Sequence, residues 1–231
     1  MKRILIALFI CSYSLVYTQS NLIMNGDFET GDFSYWTVET FGVNTFEIND
    51  GTYEGACWDD IFGIAPPISG NFSAINDQDM PGLGLISSGF IVPDEVQDVW
   101  LVFDVQYFND GDPDFDPVEQ DFKVFLLNDQ METTELLYSF FDENVSPSQL
   151  TPRRISINIT NVLSPYSGEM MYLQFLNIVT QDCFPLQIDN IGIIENHNIP
   201  TLSQWGLILL SFILVISGVI AVRQKSFILN Y

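Results

Sequence analysis

Residues Val99 to Phe108 read VWLVFDVQYF, and this stretch decides the fold class. Side chains alternate along an extended chain with a period of two, so Val99, Leu101, Phe103 and Val105 share one face. Trp100, Val102, Asp104 and Gln106 share the other. Ile155, Ile157 and Ile159 alternate with Ser156, Asn158 and Thr160 in the same way, the pattern of a strand with one wet face. On either side lie further short apolar runs, separated by Gly, Pro, Asn and Asp and without a sustained helical period. The expected strands are Thr37 to Phe46, Ser69 to Asn76, Leu85 to Ile91, Val99 to Phe108, Phe122 to Leu127, Thr134 to Phe141, Arg154 to Ile159, Met170 to Ile178 and Leu186 to Ile194. Strands of this length and spacing predict an all-β, two-sheet sandwich.

The two ends of the chain differ from this middle. Met1 to Ser20 carries Lys2 and Arg3, the apolar run Ile4 to Ile10 and small polar residues from Thr18 to Ser20, which is the layout of a secretory signal peptide. At the other end, Trp205 to Val222 holds no charged residue. As a helix it would extend about 27 Å, close to the roughly 30 Å hydrocarbon core, so a single membrane span is expected. Arg223 and Lys225 then mark a short cytoplasmic tail, residues 223–231, by the positive-inside tendency.

Charge separates the same regions. The chain has 7 Lys+Arg against 30 Asp+Glu, and Lys2, Arg3, Arg223 and Lys225 belong to the ends. Lys123, Arg153 and Arg154 are therefore the cations of the middle, which holds every acid and has a formal charge of −27. Such a domain repels nucleic acid and anionic membrane surfaces and attracts divalent cations. Export places Cys57 and Cys183 where disulfides persist, so one bridge is expected, with two free thiols as the alternative. Metal binding by this pair is disfavoured because His197 is the single histidine.

Three constellations carry chemistry. In NDGDPDFDPVEQD, Asn109 to Asp121, the carboxylates of Asp110, Asp112, Asp114 and Asp116 alternate and are followed by Glu119 and Asp121. That is a set of hard oxygen ligands for calcium, or else a solvated acidic loop; the spacing is not that of an EF-hand. Tyr53, Trp58, Asp59 and Asp60 combine an aromatic face with fixed polar groups, as a sugar site requires, although Trp58 beside Cys57 equally suits packing on a disulfide. For catalysis there is no Ser/His/Asp set, no Cys/His pair and no phosphate loop, so a non-enzyme is expected. A glycosidase using paired carboxylates stays as a remote alternative.

The opening NGDFETGDFSYWTV, Asn25 to Val38, resembles the first strand and turn of galactose-binding-like jelly rolls, a fold shared by many carbohydrate-binding modules. SGNFSA (Ser69 to Ala74), WLVFDVQYF (Trp100 to Phe108) and LQIDNIGI (Leu186 to Ile193) fit the same plan. The resemblance implies a structural calcium between first and last strands, with Glu29 and Asp189 at the matching positions and Asp27 nearby. The alternative is that Asp189 pairs locally and Glu29 is solvent-exposed.

The segment IPTLSQWG is similar to the IPTL-CTERM sorting signal, a relative of PEP-CTERM, through Ile199, Pro200, Thr201, Leu202, Ser203, Trp205 and Gly206. Gln204 stands at a commonly acidic position. The resemblance implies a bacterial exosortase-type processing enzyme, a membrane transpeptidase with a cysteine nucleophile, as partner. A permanent single-pass anchor with an interfacial Trp205 is the competing reading. The expected organisation is signal peptide 1–20, sandwich 21–195, linker and sorting motif 196–204, transmembrane helix 205–222 and tail 223–231. The expected function is that of an exported cell-surface binding or adhesion protein with carbohydrate as ligand. A calcium-binding surface or matrix protein is the alternative.

Overall fold

Val99–Phe108 forms a strand that buries Val99, Leu101, Phe103, Val105 and Tyr107 on one face. The computed structural model describes residues 20–55, 57, 63–77, 80–108, 120–140, 148–180 and 184–195. In chain order its strands are β1 (Ser20–Asn21), β2 (Thr37–Gly42), β3 (Glu47–Asn49), β4 (Ser73–Asn76), β5 (Gly82–Ile91), β6 (Val99–Phe108), β7 (Asp121–Leu127), β8 (Thr133–Ser139), β9 (Ser148–Asn158), β10 (Met170–Val179) and β11 (Leu186–Glu195). A short helix, α1 (Thr160–Leu163), lies between β9 and β10.

The strands make two antiparallel sheets. Sheet A has the order β3-β4-β11-β6-β9, with β1 also pairing β11, and sheet B the order β2-β5-β10-β7-β8. From β2 to β11 the chain crosses between sheets at every connection except β3 to β4 and β7 to β8, which wraps one sheet around the other. The inner faces meet in a core rich in aromatic rings. Phe103 of sheet A packs edge-on against Phe175, Tyr138 and Phe122 of sheet B, with ring centroids 5.4, 5.6 and 6.1 Å away. Such pairs add to the stabilisation from burial alone.

Two expectations are corrected here. Thr37 to Phe46 is not one strand: β2 ends at Gly42, whose φ of +85° suits a residue without a Cβ, and the chain then crosses to sheet A as β3. The Asn25 to Val38 motif is mostly turns, with strand only from Thr37. Asn25 organises these turns by donating from Nδ2 to the Asp32 and Ser34 carbonyls and accepting at Oδ1 from the Thr30 N–H. A Cβ on Gly26 would collide with the Ile191 carbonyl, so glycine there lets the turn lie against β11.

The described residues all fall within one compact unit that ends at Asn196. Among the described residues no helix is long and apolar enough to cross a membrane. The expected signal segment up to residue 19, the 199–206 motif, the 205–222 span and the tail lie outside the described residues.

Candidate binding site

Glu29 and Asp189 hold the Ser69 to Phe72 segment from its two ends. The exposed Glu29 accepts from the Asn71 N–H at 2.7 Å, Asn71 Nδ2 at 2.9 Å and the Phe72 N–H at 3.2 Å. These donors, the Asn71 side chain foremost, hold its carboxyl below the usual range. Asp189 is fully buried at an irregularity in β11 and accepts from Ser69 N–H at 3.0 Å, Ser69 Oγ at 2.9 Å and Asn190 N–H at 2.7 Å. Burial pushes its carboxyl up to about 7 despite those bonds.

Asn190, with φ at +51°, carries the network onward by donating to Ser69 Oγ and to Asp104 Oδ2, and Asp104 faces Arg154 at 3.5 Å. The pair implied by the resemblance is therefore brought to one short segment, and its oxygens are of the kind calcium takes. Each carboxylate is, however, already occupied by N–H or O–H donors. Among the described residues no three His, Cys, Asp or Glu side chains gather as a metal group. Asp110, Asp112, Asp114, Asp116 and Glu119 lie outside the described residues. Asp121, placed with them by sequence, is instead a buried residue of β7 that pairs with Lys123 at 3.3 Å and accepts from Ser139 Oγ.

The expected sugar loop is described only in part, since Trp58, Asp59 and Asp60 lie outside the described residues. Tyr53 is half-buried, bridges to Ala65 and packs with Ala65 and Ile75 in a satellite cluster over sheet A. Burial, with the Asp77 and Glu47 charges, pushes its phenol up. The same covering loop supplies the Pro66 carbonyl to Gln187 Nε2 and the Ala65 carbonyl to Asn49 Nδ2. Cys57 is buried and donates its N–H to Asp77 Oδ1 at 3.2 Å; Cys183 lies outside the described residues.

The outer face of sheet B has a different character. Alternation along β10 buries Met171, Leu173, Phe175, Asn177 and Val179 in the interior and turns Met170, Tyr172, Gln174, Leu176 and Ile178 outward. Cross-strand register sets Leu83, Leu85, Ser87 and Gly89 of β5 beside them, with Phe41 of β2, Phe125 of β7 and Leu136 of β8 farther out. Phe41, Leu83, Leu136, Ile91 and Met170 are exposed. A Cβ on Gly89 would lie 3.0 to 3.5 Å from three atoms of the Tyr172 ring, so the ring lies over the glycine backbone. Charge on the described part of this face comes from Glu39 and from the paired Asp121 and Lys123. Sequence reasoning missed the site, although the signal was present: Tyr172, Leu176 and Ile178 are apolar where a solvated strand face alternates to polar.

Comparison with known proteins bears on the C-terminal motif and on the sandwich fold. Residues 199–224 match the IPTL-CTERM motif. No curated protein matches this chain in sequence. Among solved structures its fold is similar to TmCBM61 in complex with β-1,4-galactotriose, at 13% identity and a TM-score of 0.48, covering 77% of this chain and 99% of that one. It is similar to the K2 cleaved adhesin domain of Lys-gingipain, at 10% identity and a TM-score of 0.47, covering 78% and 99%. A family 11 carbohydrate-binding module of a cellulosomal cellulase from Clostridium thermocellum matches at 12% identity and a TM-score of 0.43, covering 78% and 97%.

Proposed function

We propose that this chain is an exported surface protein whose sandwich binds carbohydrate on the outer face of sheet B. The observation that carries the reading is the Tyr172 ring packed against Gly89 within a largely apolar face of a domain with formal charge −27. A pyranose ring offers apolar C–H faces to such a platform, while Gln174 and the nearby Lys123 supply amide and ammonium donors to its hydroxyls. Like charge disfavours an anionic lipid surface or a second copy of this domain on that face, and a neutral glycan meets no such repulsion. Five strands at about 4.8 Å spacing give a platform about 19 Å wide, broad enough for a chain of several sugars.

Export rests on the IPTL-CTERM match. In this reading an exosortase-type enzyme recognises Ile199 to Gly206 and the apolar stretch after it holds the protein in the membrane until processing. The domain works by binding and not by catalysis. The reading includes a Cys57–Cys183 bridge, supported by Cys57 being fully buried in an exported domain. It also includes calcium held by Glu29 and Asp189, which would replace the N–H and O–H donors that now occupy both carboxylates. The test is a glycan array probed with the mature protein in calcium and in EDTA, beside a Tyr172→Ala variant. Binding of neutral glycans that the variant loses is expected. Calcium-dependent stabilisation with no glycan bound in either condition would instead make this a structural surface protein.

A further inference from the structure

Three asparagines, Asn44, Asn76 and Asn177, are fully buried at one end of the sandwich, between β5 and β10 of sheet B and β4 of sheet A. Their amide orientations are fixed by their neighbours. Asn44 Nδ2 donates to the Gly82 carbonyl at 3.2 Å. Asn177 Nδ2 donates to Asn76 Oδ1 at 2.8 Å and to the Phe184 carbonyl at 3.4 Å. Among the described residues, three amide atoms are left with no partner: Asn44 Oδ1, Asn177 Oδ1 and Asn76 Nδ2.

These groups surround Gly84. A Cβ on Gly84 would collide with Asn76 Nδ2 and lie 3.3 Å from Asn44 Oδ1, and Asn177 stands directly opposite Gly84 in the β5–β10 register. We infer that Asn44, Asn76 and Asn177 form a buried hydration site over Gly84 that holds one structural water. The donor and acceptor count selects the occupant. A water donates its two hydrogens to the two amide oxygens and accepts the Asn76 N–H with one lone pair, which meets all three needs together. A metal ion would face that N–H with like polarity, and an apolar filler would leave all three atoms unsatisfied. The site lies directly behind Leu83, Leu85, Leu176 and Ile178, so the water braces the floor of the outer face of sheet B and links it to β4.

The deciding experiment uses the wild-type protein. A crystal structure at atomic resolution, with water-to-protein NOE and ROE spectra recorded on the side-chain amide of Asn76, reads the site directly. One ordered water within hydrogen-bond distance of the three amide atoms is expected, together with a cross-peak whose sign reports residence longer than nanoseconds. A direct bond from Asn76 Nδ2 to Asn44 Oδ1 or Asn177 Oδ1 would overturn the inference. So would a site atom with metal-like oxygen distances, or an Asn76 amide showing no water contact.

Discussion

The outer faces of the two sheets are built on similar backbones and treated in opposite ways. On sheet A, Gln106, Gln187 and Ser73 point away from the core and are still buried, because the loop bearing Tyr53, Ala65 and Pro66 roofs them. They satisfy one another, with Gln106 Nε2 donating to Gln187 Oε1 and Gln187 Nε2 donating to Ser73 Oγ and the Pro66 carbonyl. On sheet B many outward side chains are apolar, and Phe41, Leu83, Ile91 and Met170 meet solvent. Burying polar groups demands a complete set of partners, so the face of sheet A is committed to holding the fold together. Leaving apolar groups in water is unfavourable without a partner, and the proposed function gives the face of sheet B that partner.

This contrast predicts that substitutions on the two faces separate stability from binding. Gln187→Leu strands Gln106 Nε2, Ser73 Oγ and the Pro66 carbonyl, and is expected to cost about 2–5 kcal/mol in urea unfolding while glycan affinity of the folded protein is unchanged. Tyr172→Ala should do the reverse. Glycan affinity measured by calorimetry falls about tenfold or more, roughly 1.4 kcal/mol, and unfolding stability changes by less than about 1.5 kcal/mol. Equal losses of both properties in either variant would abolish the division of roles.

A third prediction concerns the polar network at β11. Asp189 has a folded-state pKa of about 7, above that of an unfolded aspartate near 4. Its contribution to stability is therefore full below about pH 4 and is lost as pH rises through 7. Glu29, lowered by its donors, has the opposite sign: its contribution is present above the ordinary glutamate pKa and lost as pH falls through its folded value. In EDTA, the urea midpoint of Asp189→Asn should vary less between pH 5 and pH 8 than that of the wild type. An unchanged slope would remove Asp189 as its source. The smallest effect is expected at Phe41, which is exposed on the edge strand β2. Phe41→Glu should shift stability by no more than about 0.5 kcal/mol and weaken glycan binding only a few-fold.

Much of the fold was legible because period-two alternation survives wherever one strand face meets the core. β6 appears with the expected limits, and β10 and β11 differ from expectation by one residue each at the C-terminal end. What escaped was set by tertiary contact. The three residues of β3 carry no pattern of their own, and the pairing of Ser20 with Glu195, within the segment assigned to the signal peptide, has no local signature. The Glu29 and Asp189 positions were legible through the NGDFE and QIDNI motifs. The bonds from both to the Ser69 to Phe72 segment were not, because they span sequence separations of 42 and 120 residues. Tyr172 was passed over for a different reason: an apolar position in a strand reads as core, and only the register shows that Tyr172 stands opposite Gly89 on the outer face.

The chain leaves the sandwich at Glu195, the last residue of β11, which lies between β1 and β6 at that end. A pull applied beyond Glu195 therefore acts along an interior strand, and the hydrogen bonds on both of its flanks bear the load together in shear. At an edge strand the same pull would open them one after another.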